Sequence, residues 1–190
     1  MKKSVFIASA ALLLFAFKPV EQSTWTVDKA HSQLGFSIEH LGVSDIMGAF
    51  TAFDCTITTS KEDFSDAVIE LNAETKSINT LNDKRDEHLK SPDFFDAAKF
   101  PTITFKSKSF KKVSEGKYKV TGDFTMHGVT KIVELNATMK MGTNPMAKKA
   151  VAGFRVSGAI KRTDYGVGAA MPGMLADDVM LVADTEFMKK

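Results

Sequence analysis

The sequence predicts an all-β domain, an antiparallel arrangement of about eight to ten strands with one short helix, and three observations lead there. The first is strict alternation of apolar and polar residues through most of the chain after residue 24, the pattern of half-buried strands. The second is that the breaks between alternating runs are short and turn-like: Ser114-Glu115-Gly116-Lys117, His127-Gly128 and Thr143-Asn144-Pro145. Short breaks favour sequential antiparallel pairing. The third is that only one stretch carries helical spacing.

Taken in chain order, Leu34, Phe36 and Ile38 alternate with Gly35, Ser37 and Glu39. Phe50 then falls on the opposite parity from Phe53, Cys55 and Ile57, which requires a bulge or bend near Ala52. Ala67, Ile69, Leu71 and Ala73 share one face of the next run. The helix follows, with Thr80 as cap, Asp83 three residues on, and Leu81, Arg85, His88 and Leu89 along one side; Ser91-Pro92 ends it. Further alternating runs pass through Ile103 and Phe105, Tyr118 to Met126, Val129 to Met139, and Ala152 to Ile160. The last, Val179 to Phe187, alternates less cleanly. A sandwich and a barrel both satisfy this pattern. The length of Tyr118–Met126 and Val129–Met141 favours strands that curl and close.

Met1, Lys2 and Lys3 precede an uninterrupted apolar or small-residue run from Val5 to Phe17. That is the layout of an export signal, and the run is shorter than the roughly 20 residues of a membrane span. Residues 1–22 are therefore assigned to a signal and 23–190 to one exported domain. Without residues 1–22, which hold Lys2, Lys3, Lys18 and Glu21, the basic and acidic residues balance at 22 each. Balance leaves no electrostatic footprint for nucleic acid. Cys55 is the only cysteine, so no internal disulfide forms. Its phase with Phe53 and Ile57 reads as core rather than nucleophile.

Twelve of the fifteen Phe lie beyond residue 22. Large aromatics on an inward face fit an apolar guest, and they fit an ordinary closed core equally well. A transmembrane barrel would show the same alternation, but it needs two aromatic girdles, and one Trp with two Tyr is too few.

Four segments resemble one known family. They are Trp25-Thr26-Val27-Asp28 through His31-Ser32, Phe36 and His40-Leu41-Gly42, with Gly48-Ala49-Phe50; Lys84-Arg85-Asp86 through Phe94-Phe95-Asp96 and Phe100-Pro101; Gly122-Asp123-Phe124 through His127-Gly128-Val129-Thr130; and Arg162-Thr163-Asp164-Tyr165-Gly166. In this order they resemble the YceI-like family across nearly the whole chain after the signal. Met126 departs from the β-branched residue or Leu expected there. The resemblance implies an extended lipocalin-like barrel, a long tunnel for a polyisoprenoid or similar lipid, and a periplasmic address. The inward face is apolar and offers no convergent acid–base pair, so no catalysis is expected.

On these readings Phe36, Ile38, His40, Phe50 and Phe53 are expected to line the interior from the first half of the chain. Phe105, Phe124, Met126, Phe154 and Tyr165 are expected to do so from the second half. His40 is read either as a hydrogen-bonded structural histidine or as a contact for a ligand head. Arg85, Asp86, Arg162 and Asp164 are read either as an ion-paired plug at one barrel end or as head-group recognition by arginine. Trp25 is expected to seal an end with its N–H partnered. Asp28, His31 and Ser32 spell the alphabet of a serine triad but crowd one short segment without a nucleophile elbow. No HxH, HExxH or CxxC spacing is present, so no metal is expected. The expected partner is a long-chain lipid, with transient membrane or membrane-protein contact, in a monomer or homodimer and with no cofactor beyond the bound lipid. Two other functions compete: an isoprenoid-quinone carrier for membrane redox proteins, and an enzyme acting on a lipid.

Overall fold

The computed structural model describes residues 21–190. The export signal assigned to residues 1–22 lies almost wholly outside them. Eleven β segments are laid down: β1 (Ser23–Val27), β2 (Gln33–His40), β3 (Ser44–Phe50), β4 (Phe53–Thr59), β5 (Val68–Glu74), β6 (Ile78–Asn79), β7 (Thr102–Ser114), β8 (Lys117–Met126), β9 (Val129–Asn144), β10 (Lys149–Lys161) and β11 (Leu175–Lys189), with helix α1 (Asp83–Lys90) between β6 and β7. They amount to eight strands. The pairs β1/β2, β3/β4 and β5/β6 are each one strand interrupted at mid-length. All pairings are antiparallel, and β11 closes the ring onto both β1 and β2. A closed meander leaves few unpaired edges.

The three interruptions lie side by side and form a crease. Asp28 caps a short 3-10 turn between β1 and β2 by accepting the Ala30 N–H at 3.0 Å. Thr51 and Ala52 part β3 from β4, where the Thr51 N–H reaches Ser77 and the Glu74 N–H reaches Ala52. The change of parity at Phe50 predicted this bend; the two beside it carry no such signal. Beyond the crease β6 pairs only with β3, so the wall is split between β6 and β7. Helix α1 and the loop after it cover that split.

The helix begins two residues later than its spacing suggested. Asn82, not Thr80, is the N-cap, accepting the Arg85 N–H at 3.0 Å. Leu81 stands outside the helix in the left-handed region and is 97% exposed. Thr80 instead donates its N–H and its hydroxyl to the buried Asp86 carboxylate.

The polar face of the alternation points outward, where cross-strand ion pairs such as Lys106–Glu70, Lys108–Asp123 and Lys119–Glu134 lie on the surface. Exposed pairs add little stability, but they show which face meets water. Cys55 is buried on the inner face, and burial pushes its thiol up to about 12. It is expected to resist a disulfide-exchange reagent at pH 8 in the folded protein and to react within minutes once urea unfolds the chain, which an absorbance assay reads directly.

Candidate functional site: an apolar lumen under a polar rim

The barrel interior is divided along its axis. The lower end, where β1, β8 and β10 begin, is filled. The loop between β4 and β5 folds back and inserts Phe64, which is 1% exposed. Its ring meets Trp25 at 5.2 Å and Phe154 at 5.5 Å; Phe154 in turn meets Phe110 at 6.2 Å and Phe187 at 5.7 Å. Tilted and edge-on ring pairs of this kind add to the free energy of burial. Trp25 is buried as expected, and its N–H donates to the Ser23 hydroxyl at 3.2 Å. These aromatics form a floor.

The floor loop is held by one carboxylate. Asp66 accepts the Thr59 hydroxyl at 2.5 Å, the Ser60 N–H at 3.1 Å and the Ser60 hydroxyl. The Ser60 and Thr59 hydroxyls hold its carboxyl down at about 2. A carboxyl with a depressed folded pKa stabilises above its unfolded value, near 3.8, and that contribution fades as pH falls toward 2. Asp66→Asn is expected to lower stability at pH 7 by about 1 kcal/mol. Denaturant melts between pH 7 and 3 should show the gap to wild type closing as the medium becomes acid.

Above the floor lies a cavity of about 570 Å³, within the roughly 300–1,000 Å³ of small-ligand pockets. Its walls are almost wholly apolar side chains from the strands, with Phe94, Phe95 and Leu89 added by the cover. Phe36, Ile38, Phe50, Phe105, Phe124, Met126 and Phe154 all line it, as does His40. Gly48 makes room for the Phe36 ring: a Cβ there would lie 2.4 Å from its Cζ.

Two expected wall residues are elsewhere. Phe53 is buried but does not reach the cavity. Tyr165, 1% exposed, packs edge-on against the Phe124 ring at 5.5 Å and supports the wall without lining it.

Apart from Thr185, whose hydroxyl is spent on the Phe154 carbonyl at 3.2 Å, the polar residues lining the cavity gather at the upper end: His40, Thr80, Arg85, His88 and Arg162. The ion-paired plug is not what they build. Arg85 donates Nε to the Thr80 hydroxyl and Nη2 to the Thr80 carbonyl, both at 2.7 Å. Asp86 accepts from Thr80, as described, and does not line the cavity. Arg162, 4% exposed, donates Nε to the Ala176 carbonyl at 2.9 Å and Nη1 to the carbonyls of Val167 and Ala169 at 3.0 and 2.9 Å. Asp164 is outside, paired with Lys131 at 3.1 Å. Backbone carbonyls have taken the place of the expected carboxylates. Gly168, with φ +69°, permits this: a Cβ there would lie 2.9 Å from Arg162 Nη1 and 2.8 Å from the Phe94 ring. His40 lines the cavity, and its side chain hydrogen-bonds to no other described residue.

A second chamber of about 430 Å³ adjoins the first across Arg162, Met171, Met174 and Leu175, and Glu39, Thr163 and Asp177 make it more polar. Sequence reasoning passed over the loop residues Phe64, Met171 and Met174. An isolated Phe in the charged stretch Lys61 to Asp66 was the one available signal.

The triad alphabet does not assemble. His31 Nδ1 lies 2.8 Å from the Asp28 carboxylate, but the Ser32 hydroxyl accepts the Glu186 N–H at 2.9 Å instead of meeting His31. The group sits on the exposed crease, away from the cavity.

A closed eight-stranded antiparallel barrel with a packed floor, an apolar lumen and a polar upper rim defines a barrel of the lipocalin-like class. The chain belongs to the YceI-like family, whose domain description matches residues 25–187. A UPF0312 protein of Staphylococcus aureus is 42% identical over 174 residues, covering 87% of this chain and 97% of that one. The crystal structure of the Campylobacter jejuni YceI protein superposes with a TM-score of 0.73 at 34% identity, over 86% of this chain and 96% of that one. A polyisoprenoid binding domain from Saccharophagus degradans, implicated in plant cell wall breakdown, shares the fold with a TM-score of 0.64 at 14% identity, over 87% and 98% of the two chains.

Proposed function

We propose that the protein binds and carries a single long apolar lipid, a polyisoprenoid or a chain like it, in the upper lumen, and that it is exported to the periplasm and does so without catalysing a reaction. The observation that carries this reading is the cavity itself. It is apolar along its walls and polar only where the barrel is covered, which matches a molecule with a long tail and one polar end. A methylene takes about the volume of a water molecule, ~30 Å³, so the cavity accommodates on the order of twenty such groups. At about 0.8 kcal/mol for each buried methylene, a chain of that length supplies ample binding energy even after losses to ordering. The polyisoprenoid binding domain of Saccharophagus degradans, on the same fold, supports the choice of ligand. The apolar lumen and the unassembled Asp28, His31 and Ser32 support the absence of catalysis.

The test is displacement. An environment-sensitive apolar fluorophore is loaded into lipid-free protein and titrated with geranylgeraniol. The reading expects saturable displacement at one site per chain. Fluorophore that neither binds nor is displaced would contradict it.

A further inference from the structure

We infer that the barrel docks on a bilayer of anionic lipid by its floor end, through the β9–β10 hairpin and the β7–β8 turn beside it. The inference stands apart from what the lumen holds.

Charge is balanced over the chain but placed unevenly. No acidic residue stands between Glu134 and Asp164, and six basic ones do. Three of these, Lys140, Lys148 and Lys149, lie on the β9–β10 hairpin, and Lys111 and Lys117 flank the neighbouring turn. All five are exposed, and none enters an ion pair among the described residues. The lysines further up the wall, such as Lys106, Lys108 and Lys119, are paired. The register sets Lys111 directly opposite Lys119, and Lys117 opposite Thr138, two residues from Lys140. Like charges facing each other across a sheet weaken it, and an anionic surface relieves them.

The hairpin also stands clear of the barrel. β8 leaves β9 at Lys117 and Thr138, and β11 leaves β10 at Met188 and Val151, yet β9 and β10 stay paired as far as Asn144 and Lys149. The two strands therefore run on alone beyond the wall. Every residue from 140 to 150 is exposed except Asn144. Its side-chain oxygen accepts the N–H groups of Met146 and Ala147 at 3.0 and 2.9 Å and closes the tip. Met146 is 93% exposed there, with Met141 at 50% and Val113, near the end of β7, at 65%.

Exposed apolar side chains ringed by unpaired lysines suit the boundary between lipid and water. The apolar groups enter the boundary, and each cation adds its attraction to the anionic surface. A protein partner commonly covers a face of ~800 Å² on each side, which a narrow two-stranded finger does not present. Leu41, Val43, Leu81 and Met174 are exposed at the upper end as well. Glu39, Asp45, Asp83, Asp177 and Asp178 stand among them in the chain, so that end is repelled by an anionic surface. Docking by the floor turns the covered upper end away from the bilayer.

The test attaches an environment-sensitive fluorophore at Ala147→Cys or at Leu81→Cys, the buried Cys55 staying unlabelled. Each protein is titrated with vesicles of phosphatidylcholine alone and with vesicles holding about 30% phosphatidylglycerol. The fluorophore on the hairpin is expected to brighten with the anionic vesicles, with binding about tenfold or more tighter than to neutral ones and weakening as salt rises. The fluorophore on Leu81→Cys is expected to stay unchanged. Reversing Lys140→Glu, Lys148→Glu and Lys149→Glu together should lower the affinity by about tenfold or more. Reversing Lys76→Glu, Lys84→Glu and Lys99→Glu, the same change in net charge away from the floor, should lower it by less than about threefold. Equal binding to the two kinds of vesicle would overturn the inference, as would a response at Leu81→Cys in place of Ala147→Cys. Equal losses in the two triple variants would overturn it by showing that net charge and not the hairpin is read. Binding of polyglutamate without binding to vesicles would overturn it in favour of an acidic protein partner. None of these outcomes bears on the lumen, whose ligand is read by the displacement titration.

Discussion

Phe154→Ala is expected to lower the free energy of unfolding by about 3–5 kcal/mol. Phe36→Ala, on the same inner surface of the barrel, is expected to lower it by about 1–2 kcal/mol. The two residues are chemically alike, and both line the cavity. They differ in what stands on their other sides. Phe154 is 3% exposed and has rings of Phe64, Phe110 and Phe187 within 6.2 Å of its own, so removing it opens a hole in a close-packed floor. The lost contacts and the new cavity both count against the folded state. Phe36 is only partly buried and already faces space, so its removal widens a void instead of making one. Urea melts of lipid-free protein measure both, with the dependence on urea unchanged if the fold is unchanged. Equal losses would mean that the floor is no better packed than the wall, and the division of the interior would be wrong.

Val156→Trp is expected to reduce lipid affinity by 100-fold or more while leaving the barrel folded. Val156 lines the cavity, and its register neighbours across β9 and β11 are Ala137 and Ala183, so an indole there projects into the lumen over small residues. A chain stopped short by about five methylenes forfeits on the order of 4 kcal/mol, which is nearly three decades of affinity. Stability should move by less than about 1–3 kcal/mol, since the ring enters empty space and not a filled core. The displacement titration reads the affinity and a urea melt reads the stability. Undiminished binding in a folded Val156→Trp protein would place the ligand elsewhere.

The strands were legible because period-two alternation records which face meets the interior, and a barrel keeps that bookkeeping along every strand. The bend at Ala52 was legible as a change of parity. Its neighbours at Asp28 and Thr75 were not, because a 3-10 turn can absorb the slip without leaving an apolar residue out of phase. The interior aromatics could be read but not sorted into floor and wall. Phe154 and Phe36 look identical in sequence, and what separates them is Phe64, delivered by a loop with no periodicity. The arginines were legible as chemistry and misjudged as partners. Arg162 and Asp164 sit two residues apart and suggest a pair, yet the guanidinium turns inward to carbonyls of Val167, Ala169 and Ala176, and a carbonyl acceptor leaves no trace in residue type. His40 was placed near the rim by its phase with Phe36 and Ile38, and it lines the cavity.

The most direct test of the central claim is to isolate the protein, without detergent, from the cells that make it, weigh it intact by native mass spectrometry, and extract and identify what it carries. The account predicts one bound molecule per chain, released by organic solvent, with a long unbranched or isoprenoid tail and one polar end. A protein that flies empty, and that stays empty after incubation with isoprenoid alcohols and fatty acids, would contradict it.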